Sequence, residues 1–146
     1  MDNFKAEDLR ILNELYKNAE MGINAINTLI EKADDDNLKK ELSTQLHKFR
    51  SVEADIEREM ESRGVSPEPN SAVGKLGLRA SVKMNLMMSA KPTHIAQMMI
   101  EGAGMGIIDL SRAINSAQTH DARIHSLADK LLQTEENSAK AMRAYL

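Results

Sequence analysis

The sequence predicts an all-α domain, two related antiparallel helix hairpins folded together as a four-helix bundle. Three observations carry that expectation. Apolar residues recur at alternating spacings of three and four, polar turn signals separate the stretches that do so, and one such stretch returns later in the chain. Composition agrees: of 146 residues 42% are hydrophobic and 28% charged, but only 3% are aromatic, with 10 Met and no Trp. A chain of this length fits one domain and buries about 68–70% of its unfolded surface. Residues 1–146 are therefore expected to form one helical-bundle domain. Its parts are a first hairpin over 1–63, a crossover with a short fifth helix over 64–92, and a second hairpin over 93–146.

The first helix is expected from about Ala6 to Ala33. Its stripe of Leu9, Leu12, Tyr16, Ala19, Ile23, Ile26 and Ile30 keeps one seam on a partner helix. Asp34-Asp35-Asp36-Asn37 supplies a turn, and Asp36 or a neighbour can cap the second helix, about Leu38 to Ser62. That helix carries Leu38, Leu42, Gln45, Phe49, Val52 and Ile56, widened by Leu46 and Met60. Gly64 is placed to stop it, and VSPEPNS (Val65–Ser71) reads as a loop. A short helix is expected over Ala72–Ser89, with Pro92 breaking the chain after it and Thr93 able to cap the next helix. The stripe Ala96, Ile100, Ala103, Ile107, Leu110, Ile114, Ala117 marks that helix, from about Thr93 to Ala117. After a polar turn at Thr119–Asp121, the last helix runs from about Ala122 to Tyr145. Its stripe is Ile124, Ala128, Leu131, Glu135, Ser138, Met142 and Tyr145.

The two hairpins are related. Tyr16, Ala19, Ile23, Ile26 and Ile30 map onto Ile100, Ala103, Ile107, Leu110 and Ile114 with a constant offset of 84, and AEMGI (Ala19–Ile23) meets AGMGI (Ala103–Ile107). Two extra residues in the turn make the offset 86 in the second helices, where Leu38, Leu42 and Ile56 map onto Ile124, Ala128 and Met142. Gly22 and Gly106 stand mid-helix, at a cost of about 1 kcal/mol each relative to Ala. A notch of small residues, extended by Gly102 and Gly104, offsets that cost in one of two ways. It lets two helix backbones approach, or it lets a ligand reach the backbone. Met105 joins these glycines as a candidate ligand or interface residue.

A formal net charge of −3 and a pI near 5.8 argue against nucleic acid, which needs a basic face. With no Cys, thiol chemistry and cysteine-ligated zinc are out of reach. The longest apolar runs fall far short of the roughly 20 residues a membrane span needs. The polar start MDNFKAEDLR lacks the basic and apolar stretches of a signal peptide, so a cytoplasmic location is expected. The chain carries no Gly-x-Ser-x-Gly elbow, P-loop or dinucleotide fingerprint.

AEMGI in the first helix and ESRG (Glu61–Gly64) closing the second lead into VGKLGLRASVKMNL (Val73–Leu86) and IEGAGMGIIDLSRAI (Ile100–Ile114). Through these stretches the whole chain resembles the ferritin-like superfamily, and in particular a small bacterial family of ferritin-like proteins of unknown function. The resemblance implies a bundle with one long crossover and, in metal-binding members, a Glu on two helices and Glu-x-x-His on the other two holding paired iron or manganese ions. This chain departs from that pattern. None of His47, His94, His120 and His125 has a Glu three residues earlier. Glu20, at the edge of the first seam, has Gly104 as its repeat partner. Gln45 holds the inward position of the second helix, and Ser138 stands where a His would follow Glu135.

Buried polar groups at Glu20, Gln45 and Glu135 still need partners. Either they sit near the bundle ends or bond to Arg, Lys, Tyr16 or Tyr145, or they face a second subunit, or they form a weak single-metal or small polar-ligand site. The dense methionines Met84, Met87, Met88, Met98, Met99 and Met105 read as core filling first and as a soft or adaptable surface second. Lys75, Arg79, Lys83 and Lys91 read as a solvated face of the crossover. The leading expectation is a non-catalytic ferritin-like bundle without cofactor that works by self-association, as a dimer or larger, or by binding a partner. Two alternatives stand beside it. One is a degenerate dimetal-carboxylate protein for metal storage or oxidation, holding iron or manganese through Glu20, Glu135 and Glu101. The other is a binder of a small apolar ligand that uses the glycine notch and the methionines.

Overall fold

The computed structural model describes residues 2–67, 91–117 and 119–146, with side chains from residue 6 onward. Four α-helices occur among them, and no strand: α1 (Asp2–Lys32), α2 (Asp36–Ser62), α3 (Pro92–Ser116) and α4 (Ala122–Met142), with a single 3-10 turn at Arg143–Tyr145 after the last. The expected helix over Ala72–Ser89, with Lys75, Arg79, Lys83, Met84, Met87 and Met88, lies outside the described residues.

Local chemistry sets the helix ends. Asp35 caps α2, its Oδ1 accepting from the Leu38 amide at 2.8 Å, so the neighbour of Asp36 takes the role and Asp36 falls in the first turn. At the other end Gly64 adopts φ 73°. The Val65 amide donates to the Met60 carbonyl at 3.0 Å and the Gly64 amide to Glu61 at 2.9 Å, the paired bonds of a Schellman stop. Pro92 opens α3 as its first residue, where the missing N–H costs nothing. Lys91 therefore takes the capping position that Thr93 was expected to hold, and no side chain caps that end. Asp121 caps α4 through the Arg123 and Ile124 amides at 2.9 and 3.3 Å.

The helices form a closed square. α1 packs on α2 and α3, α4 packs on α3 and α2, and α1 also meets α4 across the centre, while α2 and α3 barely meet. Ion pairs show the directions. Arg63, at the end of α2, reaches Asp121 at 2.7 Å, Glu59 at 2.8 Å and Asp8 at 3.6 Å, and Thr119 bonds Asp8. The start of α1, the end of α2 and the α3–α4 turn thus share one end of the bundle. Midway, Asn18 of α1 meets Gly106 of α3 and Lys130 of α4 meets Asp55 of α2. All four neighbouring pairs are antiparallel. α2 consequently ends at the opposite end of the bundle from the start of α3, about 37 Å away along the axis for a 25-residue helix.

The repeat is visible in what is buried. Ile11, Leu12, Leu15, Ala19 and Ile26 of α1 are buried, and so are Ile95, Ala96, Met99, Ala103 and Leu110 at the offset of 84. The core row is displaced from the expected stripe. Tyr16, Ile30, Ile100 and Ile114 flank the core half-buried, while Ile11, Leu15 and Leu29 occupy it. A bundle helix touches two neighbours, so its inner face is wider than a two-position seam. Spacing by threes and fours does not say which of the adjacent rows is central.

Candidate functional site

The mid-helix glycines mark the site, because each is faced by one large side chain. A β-carbon at Gly22 would stand 2.7 Å from Cε1 of Phe49, and one at Gly106 would stand 2.7 Å from Oε1 of Glu135. Phe49 and Glu135 are themselves repeat partners at the offset of 86. The first hairpin therefore lays an aromatic ring into its glycine notch, and the second lays a carboxyl group there. Gly102 and Gly104 face open space, with nothing within 4 Å of a β-carbon.

Between the two notches, where α1 crosses α3, lies a cavity of about 190 Å³. Gly22, Ala25 and Ile26 of α1 and Met99, Gly102 and Ala103 of α3 form its sides, and Phe49, Glu135 and Ser138 reach it from α2 and α4. Met21 and Met105, partners in the repeat, line it while remaining 49% and 67% exposed, so they belong to its mouth. Asn18 ties the two walls together: its amide nitrogen donates to the Gly106 carbonyl at 3.1 Å.

Few polar side chains enter this space. Glu135 is 4% exposed, and none of the described residues donates to it or pairs with it. Burial alone pushes its carboxyl up to about 8, so it holds its proton at neutral pH. The Ser138 hydroxyl, one helical turn further on, is fully buried without a partner among the described residues, as is Oδ1 of Asn18. Asp109 is exposed at the rim. The wall contains no Lys, Arg or His among the described residues.

The candidate residues named from sequence separate into different places. Glu135, Gly22, Gly102, Gly106 and Met105 come together at the cavity; Gly104 does not line it. Glu101 is exposed and accepts from Gln97 at 2.9 Å. Gln45 is buried one turn from Glu41, to which it donates at 2.7 Å, with its own carbonyl oxygen unpartnered among the described residues. Glu20 is buried on the α2 side, in the company of Tyr16, whose phenol is raised to about 12 by burial and then by the carboxylates of Glu53, Glu20 and Glu57. His47 faces solvent as expected. Among the described residues no group of three or more His, Asp or Glu gathers as metal ligands would. Glu20, Glu101 and Glu135 are not brought together as one centre.

Sequence reasoning passed over Phe49, Asn18, Ser138 and Asp109 as site residues. The offset of 86 already paired Phe49 with Glu135 and Val52 with Ser138, and that apolar-to-polar exchange at two core positions was the available signal. Asn18 and Asp109 carry no such mark, since polar residues beside a seam read as surface.

Fold and site together define an all-helical bundle with a largely apolar internal cavity into which the buried Glu135 carboxyl reaches. No protein-family model, curated protein or solved structure matches the chain. No helix among the described residues is long and apolar enough to cross a membrane.

Proposed function

We propose that this protein is a non-catalytic member of the ferritin-like superfamily that works by binding, and that its cavity between α1 and α3 receives a small, largely apolar molecule. The antiparallel square with α2 and α3 on its diagonal supports the ferritin-like reading, as does the placement of the two ends of the 64–91 connection at opposite ends of the bundle. The observation that carries the binding role is the cavity itself. Interiors are normally packed without voids larger than a water molecule, and small-molecule sites are concave, mostly apolar and supplied with a few convergent polar groups. Here the space is about 190 Å³, more than the roughly 150 Å³ cavity that takes up benzene in an engineered protein. Small residues, Gly22, Ala25, Gly102, Ala103 and Gly106, line its walls. A dimetal centre finds less support, because Glu101 points to solvent and Glu135 stands without a second ligand beside it among the described residues. NMR titration with 1-hexanol is the test. Shifts concentrated at Gly22, Gly102 and Gly106 are expected; a spectrum unmoved by neutral and charged probes alike would remove this reading.

Self-association is a second reading, favoured by the exposure of Met21, Met105 and Ile108, at 49%, 67% and 50%, on α1 and α3. Exposed methionines suit an adaptable interface. Light scattering on the eluting chromatographic peak decides it: a mass of twice 16.2 kDa or more is expected, and a monomer across micromolar concentrations would dismiss it.

A further inference from the structure

The cavity is polar in one sense only. Its buried polar side chains present oxygens to the space: the Ser138 hydroxyl and Oδ1 of Asn18, which lack partners among the described residues while the Asn18 amide nitrogen is given to Gly106, and the Glu135 carboxyl, which is buried and shifted by burial alone. The rim adds the carboxylate of Asp109, and none of the four helices contributes Lys, Arg or His to the wall. Nothing on these helices therefore balances Glu135 when it ionises, and a buried carboxylate without a partner is costly. The apolar wall includes the Phe49 ring and the thioethers of Met98 and Met99, polarizable surface that suits an organic cation.

We propose that the cavity binds a small primary organic ammonium ion, its head group donating to Glu135, Ser138 and Asn18 and its apolar body lying against Phe49 and the methionines. This rests on the reading of the cavity as a small-molecule site and names the chemistry of its occupant. An ammonium offers three donors to three acceptor oxygens, and charge-assisted bonds to a carboxylate are roughly twice as strong as neutral ones. A space of about 190 Å³ accommodates a body of about six to eight non-hydrogen atoms, judged by the benzene-sized precedent.

The pH dependence of binding is set by one proton. Glu135 receives the cation as a carboxylate, and its proton must leave as the ammonium enters. Burial holds that carboxyl near 8, so about a tenth of the molecules are ionised at pH 7 and about nine-tenths at pH 9. Ammonium affinity should rise about tenfold across that interval, with close to one proton released per ion bound at pH 7. Asp109 at the mouth is the other titratable group of the wall; replacing it with Asn should leave the step in place.

Calorimetric titration of the full chain with n-hexylamine, 1-hexanol and hexanoate, at pH 7 and pH 9 in buffers of different ionisation enthalpy, tests the proposal. The amine should bind on the order of tenfold or more tighter than the alcohol at pH 9, strengthen with pH and release a proton, with hexanoate weakest. Glu135→Gln should abolish the preference and the proton release while retaining 1-hexanol. The proton count is read on the unaltered protein, so it stands even if that variant folds poorly. Equal binding of amine and alcohol, tighter binding of hexanoate, or amine binding without proton release would overturn the ammonium assignment and leave the cavity reading intact. Binding of no probe would overturn both.

Discussion

Replacing Glu135 with Gln removes a carboxyl that the fold holds as the neutral acid at neutral pH. In the unfolded chain this carboxyl ionises near its ordinary value of 4.5, and in the bundle near 8, because burial strips water from it. A folded-state value above the unfolded one favours folding at low pH, and that advantage is lost as pH rises from about 4.5 through about 8. Over this window the unfolded chain has released the proton and the folded chain has not. At pH 7 the difference amounts to on the order of 3 kcal/mol, from about 1.4 kcal/mol per pH unit. With a urea slope of about 2 kcal/mol per molar, the midpoint of Glu135→Gln should exceed that of the wild type by about 1.5 M at pH 7. Near pH 5 the two should differ little. Urea unfolding monitored by circular dichroism between pH 4.5 and 9 gives the difference curve. A difference independent of pH would refute the reasoning, since it would place the carboxyl in water or beside an unseen cation.

Gly22→Ala should destabilise by about 1–3 kcal/mol despite its better helix propensity, because its β-carbon meets the buried Phe49 ring at 2.7 Å. Gly104→Ala, with nothing within 4 Å, should instead stabilise by up to about 1 kcal/mol; thermal melts of the pair separate the two effects. Arg63→Met should cost about 1–3 kcal/mol by releasing Glu59, Asp8 and Asp121 at one end of the bundle, and hydrogen exchange should quicken first in the α3–α4 turn. Absorbance titration should show a phenol ionising near pH 12 that disappears in Tyr16→Phe.

Periodicity located the helices because a core needs an apolar face, and duplication located the glycines because the two hairpins keep a common register. Glu135 was legible as a seam residue for the same reason. The relation across helices escaped. The offsets align Gly22 with Gly106 and Phe49 with Glu135, yet only packing shows that each glycine faces the side chain of its own hairpin. The cavity could not be read either, since it is a sum of small deficits at Gly22, Ala25, Gly102, Ala103 and Gly106 that leaves no mark at any one of them. Thr93 was misassigned as a cap because a hydroxyl near a helix start is a good general signal, and Pro at the first position is a better one. Tyr16 and Glu20 depart from the repeat in the first hairpin, and Glu135 and Ser138 in the second. The repeated register sets the frame, and these exchanges distinguish its halves.

A direct carbon-13 NMR titration of the Glu135 carboxyl, assigned by comparison with Glu135→Gln, tests the central claim that the cavity encloses a proton-holding carboxyl. A midpoint near 8 is the result this account requires, and a midpoint near the ordinary value of 4.5 would contradict it.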